Sequence, residues 1–64
     1  MFAYDAESTN AIIDAIRNDL AAQTAAENED TIAMQMVLRA HGFNHHHTNA
    51  ETVIAAMRFQ KRGS

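Results

Sequence analysis

The sequence predicts an all-α fold: a small three-helix domain, with helices over about residues 6–26, 29–41 and 49–61, that pairs as a helical homodimer. Three observations carry this prediction. No glycine or proline interrupts residues 3–41. Apolar residues recur at three- and four-residue spacing in three separate stretches, the period of an amphipathic helix. The chain has 64 residues and no cysteine. A chain of that size buries only about 60% of its unfolded surface, so without disulfides it favours tight helical packing or self-association.

The first helix can be capped by Asp5 or Ser8, whose side-chain oxygens accept from the free N–H groups of the first turn, and Glu7 suits the positive end of the helix dipole. Ile12, Ile13, Ile16 and Leu20 form one narrow apolar stripe flanked by Thr9 and Thr24, with Phe2 on the same side. Asp14, Arg17, Asn18 and Asp19 face away. Through the alanines that follow, helix propensity stays high while the apolar signal fades. Continuing the helix would place Glu27 on the buried seam, so a break is expected at about 27–29. A single helix running on to residue 41 is the alternative.

The second helix is expected to take Asn28 as its cap, with Glu29 and Asp30 in its first turn. Ile32, Ala33, Met36 and Ala40 form one flank, and Met34, Val37 and Leu38 carry apolar surface further around the axis. A helix apolar over so much of its circumference needs partners on more than one side. It should end at Gly42, with Phe43 folding back in a Schellman motif. A loop over 43–47 leads to Thr48 and, three residues on, Glu51, the pattern of a capping box opening the third helix. Ala50, Val53, Ile54 and Met57 form that helix's main face, while Phe59 projects to the opposite side.

The first helix offers one stripe and the third one stripe plus a displaced phenylalanine, so one side of the second helix is expected to be poorly covered. Met34, Leu38 and Phe59 are the expected exposed patch and homodimer interface, since such patches mark partner sites and two-fold pairing is the commonest solution. The alternative is that the first helix wraps further and the monomer closes.

His41, His45, His46 and His47 lie within seven residues. Imidazole is a common neutral metal ligand, and His41, His45 and His47, with Glu51, are the candidate set. Consecutive loop histidines also bind metal weakly without forming a closed site, and no spaced metal motif accompanies them, so neither a metal nor another cofactor is expected. The same cluster is a candidate pH sensor, because unperturbed histidines titrate near pH 6.5.

The formal charge of −3 is unevenly spread. Residues 1–30 hold seven acids and one base, whereas residues 31–64 hold one acid and four bases. The acids of the first helix (Asp14, Asp19, Glu27) suit a basic protein partner, or an antiparallel second copy. The second and third helices loosely resemble a helix-turn-helix, with Arg58, Lys61 and Arg62 available for phosphates. Nucleic acid is nonetheless disfavoured. The connection is long for that motif, no base stands at the start of the third helix, and the chain is acidic. Catalysis is not expected: there is no cysteine nucleophile, no glycine-rich phosphate loop and little volume for a pocket.

No apolar run approaches the roughly 20 residues that span a bilayer, and the N-terminus lacks a secretory pattern, so no membrane association and a cytoplasmic location are expected. The reading that follows is a non-enzymatic interaction module, adaptor- or inhibitor-like. A helix-turn-helix DNA-binding regulator is the first alternative, and metal binding or pH sensing by the histidines is the second.

Overall fold

A computed structural model describes residues 6–63, with side chains over residues 7–60, and every regular element in it is α-helical. Helix α1 spans Ala6–Ile16, α2 Leu20–Glu27, α3 Thr31–Ala40 and α4 His47–Gly63. Phe2 and Asp5, and the side chains of Lys61 and Arg62, lie outside the described residues.

Among the described residues four helices replace the three expected, because the stretch over 6–26 is two helices joined by a corner at residues 17–19. Both sides of this corner are capped. Asp19 adopts an extended backbone and its Oδ1 accepts from the Ala21 N–H at 2.9 Å, opening α2. Gln23 donates its Nε2–H to the Arg17 carbonyl at 2.8 Å, satisfying the end of α1. The change of direction carries Leu20 off the isoleucine stripe, and it is 73% exposed. The buried side of α2 is instead Ala22, Ala25 and Ala26, whose small side chains let neighbouring helices come close.

The α2–α3 connection is three residues long. Asp30 N–H donates to the Ala25 carbonyl at 2.9 Å and Glu29 N–H to the Ala26 carbonyl at 3.2 Å. This is a Schellman closure with Glu29 at φ +53° in the position usually held by glycine. Asp30 then opens α3, accepting the Ala33 N–H at 3.0 Å. The cap of this helix is therefore Asp30, and Asn28 closes α2 rather than opening α3.

At its other end α3 finishes as expected. Phe43 N–H donates to the Leu38 carbonyl at 2.9 Å and Gly42 N–H to that of Arg39 at 3.0 Å, with Gly42 at φ +82°. Phe43 folds back against the core. The start of α4 corrects the capping-box expectation. The helix begins two residues before the expected position, His46 Nδ1 accepts the Thr48 N–H at 3.1 Å, and Glu51 reaches His47 at 3.2 Å.

Helix α4 packs against the other three, most extensively against α3. The core joins Ile12, Ile13 and Ile16 of α1, the alanines of α2, Met34, Val37 and Leu38 of α3, and Ala50, Val53 and Ile54 of α4. Arg58 ties α4 to the α2–α3 turn. Its guanidinium donates to the Glu27 carbonyl at 3.1 Å and the Ala26 carbonyl at 3.4 Å, and pairs with Glu29 at 3.3 Å. Gln60 similarly ties α4 to α1, donating to Asn10 Oδ1 at 2.9 Å.

Candidate functional site: an open apolar face on α2 and α3

The rotation of α3 about its axis decides which of its apolar residues are used in the core. Met34 and Leu38 are fully enclosed, which corrects their expected role as an exposed interface. The Schellman closure explains it. The Phe43 N–H returns to the Leu38 carbonyl and Phe43 packs against the core, so the flank of α3 that carries Leu38, and Met34 one turn back, is the one turned inward. The opposite flank is left open. Ile32 is 71% exposed and Met36 67% exposed, one turn apart, with Arg39 and Ala40 continuing the same side. Phe59 is 74% exposed on α4, as its position in the sequence implied.

Beside the Ile32–Met36 ridge runs a groove between α2 and α3. It is lined by Leu20, Ala21, Thr24, Ala25 and Ala33, and closed at the turn by Asn28 and Asp30. Ala33 lies three residues before Met36, hence on the adjoining strip of the same helix. Ridge and groove therefore form one surface. Its acidic border is Asp30 at the turn, and Arg39 stands at the opposite end with no ion pair among the described residues.

The histidines are brought into separate local roles rather than into one cluster. His41 ends α3 and its Nε2 bonds Asp19 Oδ2 at 3.0 Å, joining the C-terminal end of α3 to the N-terminal end of α2. Its ring stacks on Phe43 with centroids 6.3 Å apart. The hydrogen bond from His41, followed by that from the Ala21 N–H, holds the Asp19 carboxyl below the ordinary carboxylate range. The His45 carbonyl accepts from Gln35 Nε2 at 3.1 Å. Because a backbone N–H must be the donor, His46 presents an unprotonated Nδ1 to Thr48. His47 pairs with Glu51 one turn along α4. Among the described residues no three histidine, aspartate or glutamate side chains gather where a metal could be held, so the grouping of His41, His45 and His47 is not formed.

Two further sequence readings change with this geometry. Arg58, counted as available to a nucleic-acid backbone, is engaged by the carbonyl end of α2 and by Glu29. Asp19, read as facing away from the isoleucine stripe, and Asp30, read as a first-turn residue, are the caps of α2 and α3. A signal for both was present, since each precedes a run of good helix formers, but the uninterrupted helix propensity masked it.

Fold and surface together define a class: a small all-α protein of four described helices, one of which has an uncovered apolar side. No helix among the described residues is long and apolar enough to cross a membrane. Comparison with family models, curated proteins and solved structures finds no match, so the functional reading rests on this chain's own residues.

Proposed function

We propose that this protein is a small non-enzymatic interaction module, adaptor- or inhibitor-like, that acts by binding another macromolecule through the α2–α3 face. The observation that carries this reading is the exposure of Ile32 and Met36, two large apolar side chains one turn apart, beside an apolar groove that starts at Leu20. Single exposed apolar residues are ordinary, whereas a continuous patch edged by charge is the usual form of a partner site. The acids at its rim steer a partner that carries base, and the apolar centre supplies the adhesion.

A helix-turn-helix reading gains one observation, the three-residue connection between α2 and α3, which has the spacing of that motif. The open side of α3 does not suit it. It offers Ile32, Met36 and Ala40 with Arg39 as its only base, where a duplex requires hydrogen-bonding groups and phosphate contacts.

Methionine oxidation tests the interaction reading with an internal control. Mild peroxide should convert Met36 to its sulfoxide quickly in dilute purified protein, while enclosed Met34 reacts slowly. In an extract of the cells that make the protein, Met36 should become protected. Equal Met36 reactivity in the two settings would remove this face as a binding surface.

A further inference from the structure

We infer that the occupant of the α2–α3 face is a second copy of this chain. The Ile32–Met36 ridge of each copy sits in the α2–α3 groove of the other, with the two α3 helices antiparallel. This rests on reading that face as the working surface, and names its partner.

Shape is the first argument. The ridge carries two large flexible side chains, and the groove is floored by Ala21, Thr24, Ala25 and Ala33. A knob and a hole side by side on one surface meet twice under a two-fold rotation, which is the requirement for a closed isologous pair.

Direction is the second. The two ends of the groove are identifiable. The 3.0 Å bond between Asp19 and His41 places the Leu20 end beside the C-terminus of α3, and Asn28 with Asp30 marks the other end at its N-terminus. An antiparallel second α3 brings the second copy's Ile32 to Leu20, apolar on apolar. It also brings the second copy's Arg39 to the acidic turn. A parallel arrangement would set Arg39 against Leu20 and Ile32 against the acids.

Charge is the third. Arg39 has no ion pair among the described residues, while Asp30 lines the turn end of the groove that it would reach. A foreign partner would have to provide a base at that position. A second copy already carries one, and the contact forms twice.

Light scattering or sedimentation equilibrium of the full chain should give twice the 7.1 kDa monomer mass. Met36→Glu should raise the dissociation constant on the order of 30-fold or more, as the loss of a central anchor does. Arg39→Glu should weaken the pair, and Arg39→Glu combined with Asn28→Arg, which sets a base at the turn end of the groove, should restore it. Phe59→Glu should leave it intact. Circular dichroism shows that each variant still folds, which is expected because all four positions are exposed. A dimer indifferent to Met36→Glu overturns the inference, and a double variant that fails to recover overturns the antiparallel sense. A protein monomeric at every concentration, with Met36 protected in cell extract, overturns the second copy but keeps the face as a partner site. A monomer with Met36 unprotected there removes both.

Discussion

On α3, Met34 and Leu38 are enclosed on every side, while Met36, two residues from each, is two-thirds exposed. Both flanks are apolar and both belong to a helix of high propensity, so neither hydropathy nor local preference separates them. What separates them is the roll of α3, and that roll is set at its ends. At one end Asp30 is both the last residue of a turn closing α2 and the cap of α3. At the other, Gly42 turns the chain so that the Phe43 N–H meets the Leu38 carbonyl and Phe43 packs against the core. A helix apolar on two sides is thus oriented by its two turns, and the side left over becomes available to a partner.

The sharpest way to break the comparison is to truncate one residue on each flank. Leu38→Ala should cost about 3 kcal/mol, from lost burial and the cavity left in a core that cannot fully collapse. Met36→Ala should cost less than about 0.5 kcal/mol in the isolated monomer, as surface substitutions do. Urea unfolding at low protein concentration measures both. Equal costs would mean that the open flank is part of the folding core.

The next effect tests the ends. Both Glu29 and Gly42 hold positive φ, but only Gly42 does so without a side-chain penalty. Space is not the constraint at Gly42, where an added Cβ would meet nothing within 4 Å. Gly42→Ala should therefore lower stability by about 1 kcal/mol through backbone strain alone. Glu29→Gly should raise it by up to about 1 kcal/mol, less whatever its exposed pair with Arg58 contributes. Opposite signs in thermal melts confirm that the two turns use one geometry; a loss at both would mean that the Arg58 contact dominates the first.

The smallest effect is on pH. The Asp19 carboxyl is held below its ordinary value, first by His41. A carboxylate depressed in the folded state contributes stability that is present above its unfolded value and is lost as the pH falls through the folded one. The contribution should therefore be complete at neutral pH and decline on acidification below about pH 4. Asp19→Asn, which retains a capping oxygen, should flatten the melting temperature across that acid window. An unchanged slope would assign the acid sensitivity to other carboxylates.

Much of the architecture was legible beforehand. The α-class, the isoleucine stripe, the end of α3 at Gly42, the Ala50–Val53–Ile54 face and the exposure of Phe59 all follow from period and turn chemistry. The corner at residues 17–19 was not legible, because Asn18 and Asp19 read equally well as a polar helix face and as a cap. Nor was the alanine side of α2, since alanine scores as helix former before it scores as core. The capping box at Thr48 failed because a histidine imidazole, that of His46, can do the same work two residues earlier, with Asn44 steadying it by accepting the His46 N–H at 3.0 Å.

The candidate site shows the same division. The sequence alone determined that α3 has more apolar surface than one small chain would cover, because composition and period are local properties. It also held the clue to which side goes inward, in the return of the chain at Phe43 toward Leu38 that a Schellman closure at Gly42 produces. Only the tertiary structure decided that Ile32 and Met36 remain outside beside the Leu20 groove. That outcome depends on the corner at Asp19, the turn at Glu29 and the packing of α4 against α3 acting together.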